Sequence, residues 1–301
     1  MGEGAGDEVK LKHMNIGTKK RITQKTVFWI LRLFSGSVVL ILFIILAFIL
    51  IKGFSVISWK FLTTMPTEGM TQGGILPAIV GTLCLVAGSM IIAFPIGVMS
   101  AIYLNEYATN RRFKNFIRMM TNNLGGVPSI VFGLFGMALF VNKLKFGDSI
   151  IAGSFTLGLL ALPVIIRTTE EALLAVDDSF RHASLALGAS KWQTTRKVVL
   201  PIAFPNIITG MILSIGRVSG ETAPILFTAA AYFLPKLPHS VSDQVMALPY
   251  HLYVLTTSGT NIEASRPMAY GTALVLIFLV LMANIGANFI RRHYNKKFKL
   301  N

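Results

Sequence analysis

The sequence predicts an all-α membrane protein with six transmembrane helices, and three observations carry that expectation: the composition, the length of the apolar runs and the placement of the basic residues. Of 301 residues, 53% are hydrophobic and only 14% charged, with a mean hydropathy of +0.64, which lies outside the range of an ordinary soluble domain. Apolar runs long enough to cross a hydrocarbon core of about 30 Å fall at 29–51, 79–103, 119–141, 149–168, 207–232 and 268–290. An even number of spans puts both termini on one side.

The basic residues give the orientation. The N-terminal arm and every second gap after it hold 19 of the 28 Lys and Arg, among them Lys19, Lys20, Arg21, Arg111, Arg112, Lys114, Arg118, Arg181, Lys191, Arg196, Lys197, Arg291 and Arg292. The intervening gaps hold only Lys52, Lys60, Lys143, Lys145, Lys236 and Arg266. The positive-inside rule therefore predicts cytoplasmic termini in a multi-pass cell (inner or plasma) membrane protein. A net charge of +15 could suit nucleic acid. The basic residues are instead scattered between apolar runs without exposed aromatics among them, so nucleic acid is not an expected partner.

Several chemistries are excluded. Cys84 is the single cysteine and lies within an apolar run, and the five histidines show no ligand spacing, so neither an internal disulfide nor a metal site is expected. No GxxxxGK[ST] phosphate-cradling loop occurs, so ATP and Mg, if used, bind partner subunits. The polar arm of about 25 residues before the first long apolar run disfavours a cleaved signal peptide and favours an uncleaved first span. Its charge and lack of apolar periodicity favour a mobile segment.

The spans are not uniform. Pro95, Pro128, Pro163 and Pro224 fall inside them, and Gly125-Gly126-Val127-Pro128 interrupts the third near its start. An interior proline removes a backbone donor, which lipid tolerates only where protein or a wet cavity supplies another partner. Such breaks either line a transport pathway or serve packing alone. Small residues such as Gly81, Gly88, Gly97, Gly133, Gly136 and Gly158 favour close helix contact and say little about substrate.

Arg217 and Glu221, deep in the fifth run, carry the largest insertion cost, roughly 2.5–3.5 kcal/mol for a central charge. Two readings stand: a self-satisfied i,i+4 ion pair clamping two helices, or an arginine that eases the passage of an anion while Glu221 orients it. Arg167 closes the fourth run just before Glu170 and Glu171, as an interfacial anchor or a pathway residue. Arg32 can snorkel from the first run, and Asp177 and Asp178 belong to the linker that follows the fourth.

Between the fourth and fifth runs lies a polar helix-turn-helix. Ser179 can cap a first short helix and Gly188 suits the left-handed residue that ends it. Ser190 and Gln193 have capping-box spacing for a second helix ending near Pro201. A chain needing only to cross the bilayer would use a short loop here. About 25 residues of capped helix suggest a docking surface, against the plainer reading of an interfacial helix pair.

The stretch 182–201 resembles the pattern EAA-x3-G-x9-I-x-LP of binding-protein-dependent ABC importer permeases: Ala183, Gly188, Leu200 and Pro201 match, Ser184 and Val198 are mild replacements, and His182 stands where the family usually has glutamate. GGILPAIVGTL at 73–83, NLGGVPSIVFGLFG at 123–136, LPVIIRTTEEAL at 162–173 and GRVSGETAPILFT at 216–228 resemble the PstA-type permease of phosphate ABC importers. The resemblance covers about 70–290. It implies a type I (MetI-like) permease core over 70–290, with a cytoplasmic arm at 1–28, a first transmembrane helix at 29–54, a coupling loop at 179–201 and a cytoplasmic tail at 291–301. It also implies a non-catalytic subunit without a cofactor of its own, paired with a PstC-type permease, two PstB-type ATPases and an external phosphate-binding protein. Arg167 and Arg217 then fall on arginines associated with the passage of inorganic phosphate. Two alternatives remain on sequence: import of another oxyanion, molybdate or sulfate, or a membrane scaffold that docks an ATPase without moving solute.

Overall fold

The computed structural model describes residues 4–258 and 261–298, and the side chains of 24–258 and 261–292. The chain divides into two compact units, 1–51 and 52–301. The first is a single helix, α1 (Gly4–Phe54), whose apolar part covers Gln24–Phe54. The arm expected to be mobile continues that helix from Gly4 onward.

The second unit opens with α2 (Trp59–Thr63), capped by Ser58, whose hydroxyl accepts from the Phe61 amide at 3.1 Å. A two-residue antiparallel pair follows, Pro66–Thr67 against Gln72–Gly73. The main helices are α3 (Leu76–Ile102), α4 (Arg111–Gly125), α5 (Ser129–Gly136), α6 (Ile150–Leu174), α7 (Asp178–Ala186), α8 (Lys191–Thr194), α9 (Leu200–Ser219), α10 (Ala223–Leu226), α11 (Leu248–Thr257) and α12 (Ile262–Phe298). Wide π turns extend α3 over Tyr103–Tyr107 and α5 over Met137–Lys143, and join α8 to α9 over Thr195–Val199. Among the described residues, five helices are long and apolar enough to cross a membrane, and a pair bent by 100° makes the sixth if counted as one span.

That bend corrects the third predicted span. Asn110 caps α4 by accepting from the amides of Arg112 and Phe113, so the basic residues of the gap before the third apolar run are helical. Pro128 has no amide to offer the Leu124 carbonyl, which accepts from Val127 instead, and Pro128 itself is extended at ψ 138°, so the chain turns before α5 begins.

The fifth predicted span is corrected as well, since its helix ends at Ser219. Gly220 and Glu221 donate to Arg217 and Val218 in tightened final turns, and Pro224 cannot donate to the Gly220 carbonyl. Residues 220–247 instead fold back over the start of α6. Carbonyls of Thr228, Asp243 and Val241 accept from the amides of Ser149, Ile150 and Ile151 at 2.9–3.0 Å, and Ser149 Oγ accepts from Ala152. All of these donors lie in the first turn of α6, where no intrahelical acceptor exists. The Asp243 carboxyl, in the same loop, is held below the usual carboxylate range by the amides of His239 and then Ser240.

The core is a close contact of α3 with α6, and small residues set the spacing. A Cβ at Gly88 would meet the Ser154 side chain, one at Gly97 the Ile165 side chain and one at Gly153 that of Leu85. Around this seam Leu85, Leu157, Ala161 and Ile165 are buried together with Met246, Leu248 and Leu255 from the returning segment and α11. Thr82 ties the two by accepting from the Leu248 amide at 2.8 Å. Helix α9 lies on α6 where Gly210 faces Thr168, and on α12 where Gly216 faces Asn284.

Gly210→Leu is therefore expected to force α6 and α9 apart and to destabilise the chain by about 1–3 kcal/mol, the usual range for overpacking. Gly286→Leu, at a position where a Cβ meets nothing within 4 Å, is expected to change stability by less than about 0.5 kcal/mol. Thermal unfolding of the two variants in detergent separates these outcomes.

Candidate functional site

Two polar features stand out from the apolar bundle: the projection between α6 and α9, and three arginine–glutamate pairs along the core helices. The projection starts at Asp177, whose carboxylate accepts from the Ser179 amide at 2.8 Å. The hydroxyl and then the amide of Ser179 hold that carboxyl below the usual carboxylate range. The cap is thus Asp177, and Ser179, expected in that place, lies inside the helix. Both residue types cap well, and the acid sits one step ahead of Asp178 at the helix start. Gly188 adopts φ +82° with open space where a Cβ would be, as expected for the residue that ends α7. Ser190 and Gln193 form the expected capping box: Gln193 Oε1 accepts from the Ser190 amide at 2.8 Å, and Ser190 Oγ from the Gln193 amide at 3.3 Å.

The second helix does not end near Pro201. From Lys191 it runs without interruption to Ser219, a 29-residue rod about 43 Å long. The π turn before Leu200 and Pro201 carries the chain through. The Leu200 amide bonds back five residues to Thr195, and this wide turn accommodates a proline that has no amide to give and whose ring crowds the preceding turn.

His182 and Ala183 are exposed on α7, and Leu200 and Pro201 are half-buried at the root of the rod. Ser184 turns inward, and its hydroxyl shares a 2.9 Å hydrogen bond with the Thr194 hydroxyl, clipping α7 to α8. The outer surface carries Leu187, 89% exposed, with Leu185 and Trp192 beside His182's helix. Leu187 contributes nothing to this chain's own core, and an apolar tip of this kind on a polar projection is the form of a protein contact.

Arg167 leaves the last third of α6, and its Nε lies 3.2 Å from Glu171 Oε1 with both side chains about two-thirds exposed. One turn away Arg118 of α4 donates from Nε to Glu170 Oε1 at 3.1 Å, with the acid largely buried. These four charges, with Thr121 and Asn122, line a polar cleft of about 190 Å³. Arg118 was legible in sequence only as a topological charge; its partner is 52 residues away, and no local spacing reveals such a pair.

Arg217 occupies the last turn of α9, with Nε 3.7 Å from Glu221 Oε1, and both side chains retain access to solvent or lipid at 37% and 18%. The expected i,i+4 pair exists, but both members belong to one segment, the end of α9 and the turn after it. As placed, it does not clamp two helices. Arg167 and Arg217 are not neighbours either: Gly210 faces Thr168, so Arg217, seven residues further along α9, lies about 10 Å beyond that level along the helix axis.

A bundle of membrane-crossing helices with a capped polar projection and solvent-reachable arginines is the architecture of a transporter's membrane subunit. The chain belongs to the family described as binding-protein-dependent transport system inner membrane component, whose pattern matches residues 93–300. It is a permease component of an ABC importer, a non-catalytic multi-pass inner-membrane subunit, and membership implies ATPase and binding-protein partners. It is 34% identical over 293 residues to the probable ABC transporter permease protein YqgI of Bacillus subtilis, covering 94% of this chain and 99% of the relative. It is 40% identical over 224 residues to phosphate transport system permease protein PstA 1 of Mycobacterium tuberculosis, covering 73% of this chain and 71% of that one. The PstA of Haemophilus influenzae is 35% identical over 249 residues, covering 83% and 86%. Its fold is similar to that of an inward-facing MetNI methionine ABC transporter chain, with a TM-score of 0.55 at 19% identity over 73% of this chain and 94% of that one.

Gly188→Val places a β-branched residue in a left-handed conformation, at a cost of about 1–2 kcal/mol confined to the projection. The amides of 178–194 are expected to exchange hydrogen faster while those of α3 and α6 are unchanged. Unchanged exchange across 178–194 would show that the turn does not hold the projection together.

Proposed function

We propose that this chain forms half of the translocation pathway of an ATP-driven inorganic phosphate importer. The observation that carries the proposal is the extent of likeness to chains named phosphate transport permeases, 40% identity over 224 residues in one case. Its partners in this reading are a PstC-type second permease, two PstB-type ATPases and an external phosphate-binding protein. The permease core is 70–290, preceded by the arm 1–28 and the first span 29–54 and followed by the tail 291–301, with both termini and the 179–201 projection in the cytoplasm. The ATPases dock on the projection through His182, Ala183 and the apolar tip around Leu187. Ser184, Gly188, Leu200 and Pro201 keep its shape and join it to α9.

Arg217 and Arg167 act as successive stations for the anion. An oxyanion entering a low-dielectric passage needs compensating charge, and a guanidinium offers a planar fork that matches phosphate oxygens. Glu221 orients Arg217 and keeps it from retaining the anion. Arg118, beside Arg167 in the polar cleft, supplies a second guanidinium at the same station.

In vesicles holding the whole assembly, ATP-dependent uptake of labelled phosphate is expected to persist in excess sulfate or molybdate; competition by either would assign a different oxyanion. Arg217→Ala is expected to reduce uptake about 10- to 100-fold, the scale of a lost hydrogen bond to a charged group, with assembly intact and Arg217→Lys retaining more activity. Full uptake by Arg217→Ala would remove it from the pathway. For orientation, in a Cys84→Ser background, His182→Cys is expected to react with a membrane-impermeant thiol reagent only from the cytoplasmic side.

A further inference from the structure

Arg181 is the most heavily bonded side chain of the projection. Its Nη2 donates to Glu106 Oε1 at 2.9 Å and to the Leu173 carbonyl at 2.8 Å. Its Nη1 donates to the Val176 carbonyl at 2.7 Å and to Asp178 Oδ1 at 3.1 Å. The Arg181 and Glu106 side chains are only 15% and 8% exposed, so this pair, unlike those of Arg167 and Arg217, is shielded from solvent. The Leu173 carbonyl lies in the last turn of α6, where it also accepts from the Val176 amide at 3.3 Å, and the Val176 carbonyl lies just beyond the helix end, so the guanidinium meets the negative end of that helix. Glu106 sits in the π turn that ends α3 and is held by a second donor, Asn105 Nδ2, at 2.8 Å.

One side chain of α7 thus grips the ends of two core helices at once. The other half of the projection touches the same turn, since Lys191 Nζ lies 5.4 Å from the centre of the Tyr107 ring. Continuity of backbone joins the projection to α6 on one side and to α9 on the other, and does not reach α3. The contacts of Arg181 add α3, which is already locked to α6 through Gly88, Gly97 and Gly153.

We propose that Arg181 is a positioning residue that latches the projection to α3 through Glu106 and to α6 through its terminal carbonyls, so that the three core helices α3, α6 and α9 move as one when the projection is displaced. This rests on the reading that the projection receives the ATPase. The pair is suited to the task because a buried, multiply bonded arginine does not exchange partners readily, and its fork lets a single residue engage two elements.

The test uses the complete transporter, with both permeases, the ATPases and the binding protein in vesicles, measuring ATPase retention, ATP hydrolysis and substrate uptake together. Arg181→Gln and Glu106→Gln are each expected to retain the ATPase and continue hydrolysis while uptake per ATP falls about tenfold, within the range by which coupling residues act. The double variant is expected to be no worse than either single one, because both break the same link. Arg181→Lys keeps the charge but loses the fork, and is expected to recover part of the ratio. An unchanged ratio in either Gln variant overturns the latch. So does an equal loss of uptake and hydrolysis that follows a loss of assembled protein, since that is the signature of a folding role alone. Leu187→Asp tests the underlying reading separately: it is expected to release the ATPase, and retention with full uptake overturns docking on the projection without bearing on the ratios of the Arg181 variants.

Discussion

The amides that open α6 have no acceptors in their own helix, and Ser149, Ile150 and Ala152 are buried, so the protein must supply the acceptors. Their partners come from a segment some 80 residues later, through the carbonyls of Thr228, Val241 and Asp243. That requirement explains why the chain after Ser219 does not continue outward as one more straight helix. It folds back, buries Met246 and Leu248 against α3, and leaves α10 against α5, where Gly133 meets the Ala223 carbonyl and Pro224. Helix breaks in lipid are stable only in company, and here the break after α9 is followed by a short helix that packs on α5.

The same constraint gives the bundle its mechanical character. Where α3 and α6 touch, side chains are small and backbones approach closely, so the contact has little freedom to slide. Where motion must pass along a helix, the chain keeps hydrogen bonding without interruption. At Thr195–Val199 a π turn absorbs Pro201, and the rod from Lys191 to Ser219 stays whole. A helix ended at that proline would have placed a hinge between the projection and the core. The widened turn puts a stiff connection there instead.

Each apolar run of the sequence falls on one of the five long apolar helices or on the bent pair among the described residues, because about 20 apolar residues in sequence can be accommodated in few other ways. Hydropathy misplaces the ends of two spans. The run 207–232 is uncharged apart from Arg217 and Glu221, and periodicity does not distinguish a helix that continues from a buried segment that returns; Gly220 and Pro224 are the available signals of the return. The basic stretch from Arg111 to Arg118 falls in a gap between apolar runs, and hydropathy does not register the helix that Asn110 starts there. The local chemistry of the projection was far more legible: Gly188 and the Ser190–Gln193 box are defined within four residues of sequence. The exception is the cap, where Asp177 and Ser179 compete and geometry favours the residue whose carboxylate reaches two positions ahead. Long-range pairs were not legible. Nothing near Glu106 points to Arg181, 75 residues away, and nothing near Arg118 points to Glu170.

The arginines of this chain divide by burial, and the division bears on what each can do. Arg167 and Arg217 pair with glutamates on their own segments; the Arg167 pair, about two-thirds exposed, holds by no more than about 1 kcal/mol, and the Arg217 pair at 3.7 Å is longer than a hydrogen bond. Such a guanidinium can exchange its carboxylate for a passing oxyanion at little cost and take the carboxylate back afterwards, which is what the proposed pathway demands. Arg181 is the opposite case. Its carboxylate partner is buried and further donors and acceptors are satisfied around it, so removing either member would strand a charge in a poorly solvated place. Each of the three arginines has an acid beside it, and what separates the proposed transport stations from the proposed latch is how readily the acid lets go.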